Sequence, residues 1–189
     1  MRRRFSRGAR VPADVLERAA LPRGARVLAS AHAADGTWLL GTRDVLVVVP
    51  PEAIDRVVEP FDKVRNRPVE TIPWERVATA DWNKDEDRLR VTEVAEYGVV
   101  PPTHVLAVPE PGLLLQLVRE RVTASIVLQR RVPVIGRRGV TVIARRPPQG
   151  SGETTWAVEL DPGLAPEDPT VREAAARGLQ DAQAELGFL

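Results

Sequence analysis

Apolar positions along this chain alternate in some stretches and recur at helical spacing in others, and the changes between the two patterns mark the predicted elements. Between Trp38 and Leu106 the strand pattern dominates. Thr37 to Gly41 and Val45 to Val49 read as two strands joined by Thr42-Arg43-Asp44. The second is apolar at every position, which predicts burial on both faces or a core strand beside a covering helix. Ile72 to Trp82 and Arg88 to Val94 form a hairpin turned by Asn83 to Asp87, with Leu89 and Val91 alternating against Arg88, Arg90 and Thr92. His104 to Val108 is a further short strand. Upstream, Ala25 to Ala33 is a first strand, and Ala34-Asp35-Gly36 is a hairpin signal.

Helical spacing takes over elsewhere. Pro12 to Leu21 is a short helix with Val15, Leu16 and Ala19 on its apolar face and Asp14 and Glu17 toward its positive end. From Pro111 to Gln129, Leu114, Leu117, Val118, Val122 and Ser125 share one side, and Arg130 and Arg131 fall where cations suit the negative end. Val132 to Ile135, Val140 to Ala144 and Thr154 to Leu160 are strands. Asp168 as N-cap and Pro169 at the first position then open a helix whose stripe runs Val171, Ala175, Leu179, Ala182 and Leu186 to a stop at Gly187. Pro51 to Pro68 has no sustained period and reads as an insertion between strands.

This pattern predicts an α+β protein in three parts. Residues 1–24 are a basic arm and a short helix. Residues 25–131 are a sheet-rich domain interrupted at 51–68 and closed by an amphipathic helix. Residues 132–189 are a β-hairpin and a C-terminal helix packed on the same domain.

Charge adds something the elements do not show. The net charge is +1 over 189 residues, but it is segregated. Residues 1–26 carry eight arginines against two acids, and residues 119–146 carry eight against one. Residues 27–118 and 147–189 are each acidic, with fifteen acids against nine bases and eight against two. Such blocks neutralise one another within the fold or face charged partners. Lys63 and Lys84 are the only lysines, an arginine bias that suggests a GC-rich bacterial genome. No apolar run approaches the roughly 20 residues of a bilayer-crossing helix. Arg2, Arg3 and Arg4 are not followed by a signal-peptide apolar region. A cytoplasmic location is therefore expected.

Residue types that carry chemistry are sparse. There is no cysteine, hence no thiolate nucleophile or zinc-thiolate site. His32 and His104, the only histidines, fall on different predicted strands and have no neighbour at metal spacing. Asp81, Asp85, Glu86 and Asp87 gather at a hairpin tip without a calcium-loop pattern and read as a solvated turn. Neither a phosphate-binding Gly-x-x-x-x-Gly-Lys nor a Gly-x-Ser-x-Gly occurs. The expectation is a protein that is not an enzyme and uses no cofactor or metal.

Two motifs suggest a family. Leu39-Leu40-Gly41-Thr42-Arg43-Asp44-Val45-Leu46-Val47-Val48-Val49 and Ile72-Pro73-Trp74-Glu75-Arg76-Val77, followed by an acidic hairpin, further strands and one amphipathic helix, resemble bacterial pleckstrin-homology-like (PH-like) domains. The resemblance covers roughly Ala25 to Arg131. As a whole the chain is similar to an actinobacterial lineage of such proteins, from which no activity carries over. The resemblance implies a PH-like antiparallel barrel or sheet closed by a helix, and a non-catalytic module that takes a protein partner by strand addition or loop contact. Trp74 and Trp82 are then candidate anchors among the four tryptophans. The alternative is RNA, ribosome or DNA binding through arginines: Arg2, Arg3, Arg4, Arg7 and Arg10 in the arm, and Arg130, Arg131, Arg137, Arg138, Arg145 and Arg146 as a patch. An aromatic content of 4% and the near-neutral charge weigh against it. Anionic lipid binding is not expected, since no lysine-rich loop separates the first two strands.

Overall fold

The unbroken apolar run at Val45–Val49 is buried from both sides, and the middle of the fold follows from it. In the computed structural model, residues 10–52, 68–150 and 152–188 are described. Here β1 (Ala29–His32), β2 (Trp38–Gly41), β3 (Val45–Val49) and β4 (Glu70–Pro73) form an antiparallel sheet in that order. On one face, Trp38, Leu40, Val47 and Val49 pack with Val15 and Ala19 of α1 (Ala13–Ala19). On the other, Leu39, Leu46 and Ile72 meet Leu114, Leu117 and Val118 of α2 (Leu114–Ser125). Gly41 makes room for this helix: a Cβ there would come within 2.5 Å of Leu117 Cδ2.

The chain leaves the first sheet through a single 3-10 turn at Trp74–Arg76. It then builds a second antiparallel sheet from β5 (Val77–Asn83), β6 (Arg88–Glu93) and β7 (Thr103–Ala107). Leu89, Val91 and Leu106 face inward and join the α2 core. The alternation read from Arg88 to Thr92 is thus a half-buried strand, with Leu89 and Val91 buried and Arg88 and Arg90 exposed. Trp74 is fully buried at the corner, and its indole donates to Thr42 O at 3.2 Å.

A third antiparallel sheet follows α2 without a linker. Its strands β8 (Ile126–Ile135), β9 (Arg138–Arg145) and β10 (Thr155–Leu160) lie in the order β10-β9-β8. One face is covered by α3 (Pro169–Glu185), whose buried side is made of small residues: Ala174, Ala175, Gly178 and Ala182, with Val171. Gly178 sits so close to the sheet that a Cβ would lie 2.8 Å from Val132 Cγ2. The expected start of this helix is present: Asp168 caps it, accepting from Thr170 N at 2.8 Å. The opposite face docks on the second sheet through Val94, Ile143 and Ala157, with Ala78 and Ile126 beside them.

Two expectations need correction. The strands do not close into a barrel; the described residues form three separate sheets. The helix expected to reach Gln129 ends at Ser125, and its last residues, with Arg130 and Arg131, belong to β8. Leu128 fits either period, but from Ile126 to Ile135 burial alternates strictly, and the β-branched Ile126 and Val127 favour the strand. The Pro51–Pro68 insertion falls almost wholly outside the described residues. No described helix is long and apolar enough to cross a membrane.

Candidate functional site

Edge strands are where a sheet has backbone groups left to offer, and the third sheet has two such edges. The β8 edge is protected. Pro133 cannot donate to a neighbour, and the exposed Arg131 is bonded to the Asp161 carboxylate and to Arg137 O at 2.8 Å. The β10 edge carries neither proline nor cation.

Beside β10 runs a groove of about 540 Å³. One wall is β10 from Ala157 to Leu160, and the floor is formed by the ends of β5 and β6. The other wall is the loop after β6, from Ala95 to Pro101. That loop is fixed by Tyr97, whose hydroxyl donates to Pro166 O at 2.8 Å. Burial of the Tyr97 ring raises its phenol above the ordinary tyrosine value, aided by Glu167 and Asp168 and opposed by Arg172. With Tyr97 turned inward, the next apolar pair points out: Val99 is 56% exposed and Val100 87% exposed. These two β-branched residues form an apolar lip over the groove.

The groove is also acidic. Glu93, Glu96 and Glu159 line it, and among the described residues no lysine, arginine or histidine does. Glu93 is already engaged, 2.7 Å from Nε2 of His104, while Nδ1 of His104 lies 3.2 Å from Glu70. The two carboxylates sit on opposite sides of the ring, so this trio ties β4, β6 and β7 together and does not converge on one point. The side chains of Glu96 and Glu159 have no hydrogen bond or ion pair among the described residues.

The arginines expected to form a patch are placed in different settings. Arg130 lies 3.3 Å from Glu185, and Arg131 is held by Asp161. The Arg131 hydrogen bond, with the Gly139 N–H, holds Asp161 below the usual carboxylate range. Arg145 is 2% exposed. Its guanidinium donates to Ala78 O at 2.9 Å, Ser125 Oγ at 3.0 Å and Val122 O at 3.3 Å. Desolvation lowers its pKa, with Glu159 opposing. It supplies the cation at the negative end of α2 that Arg130 and Arg131 were expected to supply. Arg146 donates to Thr154 Oγ1 at 2.8 Å and lies over the Phe188 ring. Of the six patch candidates, only Arg137 and Arg138, at the β8–β9 turn, are exposed with no side-chain hydrogen bond or ion pair among the described residues. Arg2, Arg3, Arg4 and Arg7 lie outside the described residues.

The tryptophan anchors do not reach the groove either. Trp74 is core, and Trp82 is half-buried with its indole donating to Val108 O at 3.3 Å. The groove residues Glu96, Val99, Val100 and Glu159 were not singled out by the sequence. The one local signal is an apolar pair, Val99-Val100, placed between Gly98 and Pro101-Pro102 where a solvated loop is expected. Comparison with known proteins finds no family model, curated protein or solved structure that matches this chain.

Proposed function

We propose that this chain is a non-catalytic interaction module of PH-like organisation that receives a segment of a partner protein in the groove between β10 and the Ala95–Pro101 loop. The order of elements supports the organisation: a four-stranded sheet, a three-stranded sheet and one amphipathic helix packed between them. The observation that carries the binding reading is the lip, where Val99 and Val100 stand exposed over a cleft large enough for several side chains. The arginine reading has less support, because four of its six candidate patch residues are engaged within the fold.

The test is selection from a displayed library of random linear peptides, using the wild-type chain and Val100→Ser. Enriched peptides should bind the wild type and lose affinity for the variant, roughly tenfold for removing an apolar anchor. The melting temperature should not change, since Val100 packs against nothing it would have to leave. Failure to enrich any sequence, or binders indifferent to Val100→Ser, would overturn the reading.

A further inference from the structure

We propose that the groove's ligand is an extended basic segment, taken as an added strand on the outer edge of β10 with its cations against Glu96 and Glu159. This rests on the interaction-module reading and names the chemistry of its partner.

The first support is charge. Among the described residues the lining holds three glutamates and no cationic residue, and one of the three is already occupied by His104. Glu159 feels the positive charge of Arg145, but that guanidinium is buried and bonded to Val122, Ser125 and Ala78. The Glu159 carboxylate is thus open to a cation arriving from the groove, as is that of Glu96. A polyanion such as a nucleic acid would meet the wrong sign here.

The second support is the contrast between the two edges of the third sheet. Edge strands are ordinarily guarded by proline or charge against pairing with another chain. The β8 edge has that guard in Pro133, whereas the β10 edge, which borders the groove, has no proline, and its one charged residue, Glu159, is of the sign that attracts a basic strand.

The third support is the alternation along β10. Ala157 and Glu159 point to the second-sheet side, whereas Val158 and Leu160 pack toward α3. A strand added to this edge presents its side chains with the same period. One row meets Glu159. The other faces a hollow of about 280 Å³ lined by Tyr97, Val158, Ala175, Ala176 and Leu179 and bordered by Arg172. That row suits apolar side chains and disfavours cations. The recognised pattern is therefore basic and apolar residues in alternation.

A fluorescein-labelled octapeptide of alternating arginine and valine tests this by anisotropy with the full chain. It should bind, and the matching glutamate–valine octapeptide should not. Glu96→Gln with Glu159→Gln should weaken binding roughly fivefold, the scale of exposed ion pairs, and rising salt should close that gap. Both residues are exposed, so the variant folds. Amide exchange across Thr155–Leu160 should slow on binding, and the same arginine–valine octapeptide with every backbone nitrogen methylated should fail, because it has no N–H donors to pair with a strand. Binding of the N-methylated peptide as tight as the parent, or unchanged exchange in β10, overturns strand addition. Binding of the acidic peptide, or of oligouridylate in a manner sensitive to the same glutamates, overturns the charge assignment. If library peptides bind through Val100 while the arginine–valine peptide does not, the ligand chemistry is wrong and the module reading stands.

Discussion

The two helices that cover sheets in this molecule solve the same problem with opposite side chains. Against α2 the core is built from large groups: Trp74, Leu39, Leu46, Leu89 and Leu114 are all essentially inaccessible. Against α3 the contact is made by Ala174, Ala175, Gly178 and Ala182, and the helix comes close enough to touch Val132 and Val142. The first interface fills a space between two sheets; the second removes the space by letting backbones approach. The difference teaches which direction of substitution each can tolerate. A filled core suffers from lost volume, and a close-approach core suffers from added volume.

The sharpest way to break the comparison is at its two centres. Trp74→Ala should be the most damaging change, costing about 3–5 kcal/mol by urea unfolding from cavity formation and the lost indole bond to Thr42. A loss below about 1 kcal/mol would mean the corner collapses freely. Gly178→Leu comes next. It should cost about 1–3 kcal/mol by overpacking against Val132 and Val142, although leucine is the better helix former. A stabilised variant would show that α3 is not pressed against its sheet.

The smallest effect concerns the rim of the third sheet. Asp161 titrates below its ordinary value because Arg131 and the Gly139 N–H hold its charged form. A carboxylate whose folded pKa is depressed stabilises the fold above its unfolded value, and that contribution is lost as pH falls through the folded value. Asp161→Asn should therefore be less stable than wild type at neutral pH, and the two unfolding midpoints should converge in acid. A difference that persists unchanged in acid would assign the role of Asp161 to geometry and not to charge.

How much of this was legible in the sequence depended on whether the signal was local. Val45–Val49 announced burial on both faces, and Asp168-Pro169 marked the start of α3, because capping and apolar runs act over a few residues. The end of α2 is not legible because Leu128 satisfies both a helical and a strand period, and pairing with β9 settles the competition. The fate of the arginines was not legible at all. Arg145 and Arg146 are adjacent, yet Arg145, the last residue of β9, is buried against the end of α2, while Arg146 lies just past the strand and is half-buried beside Phe188. The groove brings Glu96 and Glu159 to one cleft from loops and strands far apart in the chain. Only the docking of the third sheet on the second creates it.

That docking depends on Arg145 in a way that bears on how the molecule comes apart. Its guanidinium reaches from β9 to the end of α2 and to β5 at once. A cation in that interior is tolerable only while its carbonyls are in place. A state with the third sheet half-detached would strand the charge in an apolar setting or drag water in with it. Partial opening is thereby penalised on both sides, and the sheets gain a shared cooperativity from one side chain. Thermal and chemical unfolding should report the C-terminal unit and the two-sheet core melting as one transition.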